Sequence, residues 1–354
     1  MKRLLQIPEY VEDVKRVASL DLPWDKLRGK TILITGGTGL IGSFLIDVIA
    51  AANLGCTILL FGRSEEKAKA RFAEYWDSGW LKFVKWDVSE SRNAQNGDEK
   101  IDYVIHLASN THPVAYATDP IGTIAANVIA LNNLLSLAAE RKGSRFLFAS
   151  SNEIYGENRG DVELFDEKYC GYIDCNTLRA GYSESKRCGE ALCQAYIRQK
   201  GLDCVIARLT RTYGPTILAT DTKAISQFFK NALNGEDIVL KSEGRQYYSY
   251  QYVSDSVFGL LTVLLKGETG EAYNIADESG DITLRDLAAC IAGQVGRKVV
   301  FDLPDAIESA GFSKATKARL DGSKLRLLGW RPEYGIREGV ARNYGIVRKC
   351  FAEM

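Results

Sequence analysis

Tyr182 and Lys186 stand four residues apart in the stretch AGYSESKR, which covers residues 180–187. On a helix, side chains at positions i and i+4 lie on the same face, so the Lys186 ammonium would sit beside the Tyr182 phenol. We expect that charge to favour the phenolate and to lower the tyrosine pKa from about 10 towards neutrality. Taken alone, such a pair is usually a half-buried aromatic next to a solvated charge, so the rest of the chain must decide.

Apolar runs that alternate with helical patterns make up the chain around this pair. The strand-like runs include TILITGG, CTILLFG, DYVIHLAS, RFLFASS and LDCVIARL, and the helix-like segments include SFLIDVIAAANLG and NVIALNNLLSLAAERKG. This alternation predicts an α/β fold whose parallel sheet is covered by helices on both faces. We assign residues 30–210 to this domain and residues 1–29 to a helical extension. Shorter elements over 211–354 predict a smaller C-terminal α/β lobe that binds substrate, with some strands returning to the first domain.

Composition narrows the possible functions. The 354 residues carry a formal net charge of zero and no basic block, so we expect no nucleic-acid partner. The first residues lack an apolar signal-peptide core, and runs such as GLLTVLLKG are too short to span a bilayer, so we expect no membrane partner. The eight cysteines are scattered, which favours a reducing cytoplasm over a disulfide framework. They form no C-x-x-C, and the histidines are His106 and His112, so we expect no metal site.

A glycine loop, TGGTGLIG at residues 35–42, joins the first strand to its helix. Gly36, Gly39 and Gly42 suit a tight turn, close approach to a pyrophosphate and close helix–sheet packing, which predicts a Rossmann-type doubly wound sheet. Gly62 replaces the acid that often binds the ribose of NAD, and Arg63 follows it, so both NAD+ and NADP+ stay open as cofactors. The predicted cofactor contacts are Gly36, Gly39, Leu40, Ile41, Gly42, Arg63, Asp87, Val88, Leu107, Ala108, Tyr182 and Lys186.

The motifs TGGTGLIG, YVIHLAS, FASSNEIYG and YSESK occur in this order, and ARLTRTYGP, YVSDSVFGL and DGSKLRLLGWRP follow them. With them the chain, from about residue 30 onwards, resembles the extended short-chain dehydrogenase/reductase family of nucleotide-sugar epimerases, 4,6-dehydratases and UDP-glucuronate decarboxylases. The resemblance implies that Tyr182 is the base that takes a proton from a sugar hydroxyl, usually at C4. It also implies that Lys186 stabilises the phenolate and that Ser151, rather than Ser150, binds the reacting oxygen.

Asn152 and Glu153 bear on the type of reaction. In the family, 4,6-dehydratases carry Asp-Glu at this place, decarboxylases Ser-Glu, and many 4-epimerases no acid. An amide cannot donate a proton as an acid does, so dehydration loses its expected general acid. The resemblance therefore implies oxidation at C4 to a ketone, followed by epimerisation or decarboxylation in which Glu153 is a fourth catalytic residue.

The resemblance also implies a nucleoside-diphosphate sugar as substrate. Arg211 and Tyr248 replace an asparagine and an arginine that are usual in the family, and we expect Arg211 to bind the diphosphate. The expected substrate contacts are Ser109, Asn152, Arg179, Arg211 and Tyr248. The family further implies a homodimer through NVIALNNLLSLAAE and YSESKRCGEALCQAY. Dehydration, a non-catalytic NAD(P)-binding regulator and a simple oxidoreductase remain as alternatives.

Overall fold

The computed structural model describes residues 3–87, 89–90, 100–109, 111, 116, 118–141, 143–177, 179–218, 220–302 and 316–351. Val88, a predicted cofactor contact, lies outside the described residues. The strands are β1 Thr31–Thr35, β2 Thr57–Gly62, β3 Leu81–Lys85, β4 Tyr103–His106, β5 Arg145–Ser151, β6 Asp203–Leu209, β7 Arg211–Tyr213, β8 Ile238–Leu240, β9 Tyr247–Tyr252, β10 Ala272–Ile275, β11 Asp281–Thr283, β12 Val299–Phe301 and β13 Lys317–Ala318. The helices are α1 Pro8–Ala18, α2 Leu40–Ala52, α3 Glu65–Arg71, α4 Pro120–Glu140, α5 Ala180–Lys200, α6 Ala224–Leu233, α7 Val253–Lys266, α8 Leu284–Gly293, α9 Ser323–Leu327 and α10 Ile336–Phe351.

Seven parallel strands form the large sheet, in the order β10-β6-β5-β4-β1-β2-β3. The chain runs outwards from β1 through β2 to β3 and then crosses to β4 on the other side. This reversal opens a crevice at the carboxyl ends of β1 and β4, where open α/β sheets bind their ligands. The predicted doubly wound parallel sheet is confirmed.

The two faces of this sheet are both buried, which explains its uninterrupted apolar strands. Ile32 and Ile34 belong to one core cluster, and Leu33 between them belongs to the other. Successive side chains of a strand point to opposite faces, so a strand covered on both sides needs apolar residues at every position.

The C-terminal part builds smaller sheets and also contributes to the large one. In the described residues, β9 pairs with β7, β11 and β13, and β8 pairs with β12. Strand β10 joins the edge of the large sheet beside β6. A strand from beyond residue 211 therefore completes the large sheet.

Helix α4 is, by length and composition, long and apolar enough to cross a membrane. The uninterrupted apolar runs in the sequence are too short to span a bilayer, whereas the 21 residues of this helix mix apolar and polar positions. Its buried side, which includes Leu131, Leu134 and Leu135, packs in a core cluster together with strand residues of the large sheet. The core helix of a globular domain meets the same criteria, so this helix is weak evidence for a membrane span.

Helix α1 joins the two ends of the chain. The Asp13 carboxylate is 1% exposed and lies on the face of α1 that points into the protein. Its hydrogen-bond donors all come from the C-terminal part: Tyr252 at 2.9 Å, Tyr334 at 2.8 Å and Arg342 at 3.1 Å. Tyr10, on the same helix, donates to Asp47 of α2 at 2.5 Å. The N-terminal extension thus binds both the sheet domain and the last helix.

Candidate active site

The glycine loop packs so closely against neighbouring backbone that side chains at two of its positions would clash. Gly36 has a φ of +71°, and a Cβ there would lie 2.7 Å from backbone atoms of Leu107 and Ala108. A Cβ on Gly42 would lie 2.5 Å from the Gly36 oxygen and the Gly37 Cα. Both positions therefore require glycine, and the loop lies close to the β4 end, where Leu107 and Ala108 were predicted to contact cofactor.

Helix α2 begins directly after this loop and directs its first N–H groups into the crevice. Gly39 is its N-cap residue, without a capping side chain, so Leu40, Ile41 and Gly42 of the first turn keep backbone donors for a ligand. Leu40 and Ile41 also pack their side chains against the core. The cradle and the helix terminus fit the pyrophosphate of a dinucleotide.

The residues predicted to contact the adenosine half follow β2 and β3. Arg63 is exposed immediately after β2. Burial opposes ionisation of Asp87, but hydrogen bonds from Ser89 and the charge of Arg63 outweigh it and lower the Asp87 pKa. Asp87 Oδ1 accepts from the Ser89 hydroxyl at 2.6 Å, so this carboxylate stays charged at the same rim of the crevice as Arg63.

Tyr182 and Lys186 lie on the buried face of α5, as the spacing predicted, but their electrostatics differ from the expectation. Burial raises the pKa of Tyr182 to about 12, although hydrogen bonding with Ser151 opposes that shift. The Lys186 ammonium lies 5.9 Å from the centre of the tyrosine ring and donates at 2.9 Å to the Ala149 carbonyl. The expected pKa near neutrality is therefore wrong for the protein alone, because burial outweighs the hydrogen bonding of Ser151 and the charge of Arg179.

Lys186 is itself perturbed by its surroundings. It is 3% exposed, and burial lowers its pKa to about 7. The aromatic ring of Phe148 lies 4.9 Å from its ammonium. Such a shift at a lysine in a crevice, next to a buried tyrosine, is typical of a functional site.

Ser150 and Ser151 end strand β5 and point in opposite directions, as successive strand residues do. The Ser150 hydroxyl donates to Glu190 at 2.6 Å. The Ser151 hydroxyl instead accepts from the Glu153 amide at 3.2 Å and bonds to the Tyr182 phenol, which helps to stabilise the phenolate. The geometry thus favours Ser151 over Ser150 as the serine that acts with Tyr182.

Ser109 reaches the catalytic helix through buried polar groups that the sequence analysis did not single out. Its hydroxyl donates to Asn127 at 2.7 Å, and Asn127 donates to Ser185 at 3.0 Å. Ser185 then donates to the Tyr182 carbonyl at 2.8 Å. Polar residues at buried positions of α4 and α5 are the signal that would have revealed this connection.

Asn152 and Glu153 form the first turn of a short 3-10 helix after β5. Asn152 is buried, and Glu153 is half-buried beside two arginines. The Arg179 Nη2 lies 3.1 Å from Glu153 Oε1, and the Arg211 Nη2 lies 3.8 Å from the same oxygen. Glu153 and Arg179 both lie close enough to Tyr182 for their charges to act on its pKa.

The register of the sheet explains why Arg211 lies beside Glu153. Ser151 of β5 pairs with Leu209 of β6, and Glu153 and Arg211 each come two residues after these strand ends. The Arg211 guanidinium carbon lies 3.6 Å from the centre of the Tyr248 ring. Arg211 and Tyr248, the two departures from the family pattern, are therefore partners of each other.

Tyr116 is a site residue that the sequence analysis missed. Its ring centre lies 5.0 Å from that of Tyr182, and the Arg179 guanidinium lies 4.8 Å from its ring centre. Burial raises the pKa of Tyr116 above its ordinary value, and by more than for Tyr182, so the Tyr116 phenol stays neutral. It is the aromatic residue between β4 and α4, a connection whose path periodicity does not predict.

His106 ends β4 below the crevice and has a structural environment. Its Nδ1 lies 2.8 Å from the Thr35 hydroxyl, and burial lowers its pKa to about 3, so the ring is neutral. The part of the chain that the structure describes contains no group of three His, Cys, Asp or Glu residues suited to a metal ion.

Comparisons with known proteins agree with this geometry. The sequence profile of the NAD dependent epimerase/dehydratase family matches residues 32–276. The chain belongs to this family. UDP-glucuronic acid decarboxylase 2 of Arabidopsis thaliana is 32% identical over 89% of this chain and 67% of its own length. UDP-glucuronic acid decarboxylase 6 of the same plant is 33% identical over 87% of this chain and 86% of its own length.

A solved structure shares the fold of this epimerase/dehydratase family member. The dTDP-glucose 4,6-dehydratase DesIV of Streptomyces venezuelae, which contains NAD, superposes with a TM-score of 0.78 and 25% identity. The match covers 90% of this chain and 97% of that one. Membership makes the chain an NAD-dependent enzyme, and the glycine loop with Gly36, Gly39 and Gly42 fits the pyrophosphate of that cofactor.

Proposed function

We propose that this enzyme decarboxylates a UDP-hexuronate by way of a ketone at C4 of the sugar. The observation that carries the proposal is the Asn152–Glu153 pair beside Tyr182. A proton donor for elimination of a hydroxyl is lacking at residue 152, while Glu153 is held by arginines next to the tyrosine. The similarity to UDP-glucuronic acid decarboxylases over most of the chain supports the same reaction.

Ser151 and Tyr182 hold the C4 hydroxyl of the sugar, and Tyr182 accepts its proton as the C4 ketone forms. NAD, when bound, accepts the hydride from C4 and returns it at the end of the cycle. Because burial keeps the Tyr182 pKa at about 12, the positive nicotinamide ring and the Lys186 ammonium must together favour the phenolate during turnover.

The ketone then labilises the neighbouring carboxylate. The bond between C5 and the carboxyl carbon breaks, its electron pair moves into the C4 carbonyl, and CO2 leaves. The resulting enolate takes a proton at C5, and Glu153, beside Tyr182, is the residue we propose to guide that proton. Tyr182 finally returns its proton to the C4 oxygen.

Mass spectrometry of purified enzyme incubated with UDP-glucuronate, UDP-glucose and dTDP-glucose in D2O tests the proposal. We expect UDP-glucuronate to lose CO2 and to gain one deuterium at carbon, with no accumulation of NADH. Loss of water would instead indicate dehydration, and an isomer of unchanged mass without deuterium would indicate epimerisation at C4. Stoichiometric NADH would favour a simple oxidoreductase, and no turnover of any sugar would favour a binding protein.

We also propose a homodimer, in which α4 and α5 of one copy pack against α4 and α5 of the other. Three isoleucines of α4 support the dimer, because they are 82%, 43% and 50% exposed: Ile121, Ile124 and Ile129. Burial of this apolar strip against a second copy would remove it from water. We further propose a cytoplasmic location, because the eight free cysteines suit a reducing compartment. Light scattering after size exclusion tests the dimer, and Ile121→Glu should give a monomer.

A further inference from the structure

Arg211 occupies a position from which it can act on the sugar end of the substrate. It follows β6 at the carboxyl edge of the large sheet, and the β5–β6 register brings it beside Glu153. Glu153, in turn, lies two residues after Ser151, which contacts the catalytic phenol. Arg211 is therefore next to the groups that handle C4 and C5.

The charges around Glu153 do not cancel. Two guanidiniums, those of Arg179 and Arg211, share one carboxylate oxygen, which leaves one positive charge uncompensated. Among the residues that the structure describes, neither arginine finds a hydrogen-bond partner for its buried Nη1. A buried guanidinium N–H left unpaired costs free energy, and an anionic ligand with two oxygens would satisfy both groups.

Tyr248 fixes the orientation of Arg211. The ring lies 3.6 Å from the guanidinium carbon and is buried, so it supports the guanidinium and excludes water on that side. Tyr116 contacts the Arg179 guanidinium at 4.8 Å in the same way. Two arginines supported by tyrosines thus converge on one small volume beside Tyr182.

We propose that Arg211, together with Arg179, binds the carboxylate on C5 of the sugar and so selects a hexuronate over a neutral hexose. This assignment rests on the proposed function, and it differs from the expectation that Arg211 binds the diphosphate. The carboxylate of the substrate takes the unpaired Nη1 groups, while Glu153 keeps its bond to Arg179. Arg211 is then a residue that determines specificity, with Tyr248 as its positioning residue.

Binding to NAD-loaded protein tests this assignment. In a Tyr182→Phe background, which stops turnover, calorimetry would give Kd values for UDP-glucuronate, UDP-glucose and UDP. We expect Arg211→Gln to weaken UDP-glucuronate binding by about 10-fold to 100-fold and to leave UDP and UDP-glucose within about twofold. Arg211→Lys should restore part of the loss, because the charge remains while the fork of donors is lost.

Arg319→Gln is the matched control. Arg319 lies 4.5 Å from the ring centre of Tyr247, the neighbour of Tyr248, and pairs with Glu163 at 2.9 Å. Arg319 is therefore an arginine of the same kind, stacked on a tyrosine and paired with a glutamate, but it is paired with Glu163 rather than with Glu153. We expect all three Kd values to stay unchanged in this variant.

Three outcomes would overturn the assignment. Equal weakening of all three ligands by Arg211→Gln would make Arg211 a diphosphate ligand, and no change in any would make it a structural ion pair. Equal affinity of the parent protein for UDP-glucuronate and UDP-glucose would show that no group reads the carboxylate. Release of CO2 by the wild-type enzyme, measured separately, reports on the proposed function, so the two failures are distinguishable.

Discussion

Two arginine–carboxylate clusters lie at the end of β5, one on each side of the strand, and they differ in how completely their hydrogen bonds are satisfied. Behind Ser150, Arg208 binds both oxygens of Glu190, at 3.0 and 2.7 Å, and its third nitrogen donates to Tyr155 at 2.9 Å. Beyond Ser151, Glu153 has one contact at 3.1 Å and a longer one at 3.8 Å. The first cluster is complete within the protein, whereas the second leaves N–H groups for a ligand.

The difference teaches that arginine–carboxylate pairs in one neighbourhood have different tasks. A saturated pair fixes the fold, because removing either partner leaves a buried charge alone. An unsaturated pair, such as the one beside Tyr182, still has N–H groups that can bind a ligand. Substitutions on the two sides should therefore affect stability and activity in opposite proportions.

The largest effect is expected on the Ser151 side, from Tyr182→Phe. Loss of the proton acceptor should lower kcat by about 10²-fold to 10⁴-fold, with bound NAD and Tm close to wild type. Steady-state assays with UDP-glucuronate and absorbance of the released cofactor measure both quantities. Activity within tenfold of wild type would remove Tyr182 from the chemistry.

The matching change on the Ser150 side is Arg208→Ala. It should reduce the free energy of unfolding by about 3–5 kcal/mol, because Glu190 is left without its charged partner. Glu153→Gln should change it by less than about 1 kcal/mol, because that pair is looser and more exposed. Urea unfolding of the two variants would contradict the comparison if their losses were equal.

Lys186→Met separates function from stability. Its burial lowers the pKa from 10.5 to about 7, so the buried ammonium costs stability fully below pH 7. Between about pH 7 and pH 10.5 the lysine is protonated in the unfolded chain but not in the folded protein, so the cost falls as the pH rises. Above pH 10.5 the cost vanishes. We expect the variant to be inactive and more stable by roughly 2–4 kcal/mol near pH 6. A gain that does not shrink towards pH 10 would refute this assignment.

The smallest effects are expected when each of the two adjacent serines is replaced by alanine. Ser151→Ala should lower kcat/KM by about 10-fold to 100-fold, because it removes a hydrogen bond to the reacting oxygen. Ser150→Ala should leave kcat/KM nearly unchanged and cost about 1 kcal/mol of stability. Parallel kinetics and unfolding curves test this pair, and a reversed order of activity would exchange the roles of the two residues.

The sequence predicts the large sheet, the glycine loop and the Tyr182–Lys186 pair because each depends on a local pattern. These patterns are the apolar runs of the strands, the spacing of the glycines and the four-residue spacing on a helix. The position of Arg211 depends instead on the register of β5 against β6, which the sequence does not state. Tyr116 lies on a connection without periodicity. The Tyr182 pKa depends on burial, which a four-residue spacing does not reveal, so the predicted sign of its shift was wrong.

The hydrogen bonds of Asp13 make the packing of helix α1 depend on residues that are synthesised much later in the chain. Arg342 lies 329 residues after Asp13 and Tyr334 lies 321 after it, so neither donor exists until at least 321 further residues have been synthesised. A carboxylate buried before then would lack two partners, which is costly. Helix α1 can pack on α2 through Tyr10 and Asp47 early in synthesis, but the hydrogen bonds around Asp13 are complete only once Tyr334 and Arg342 have followed.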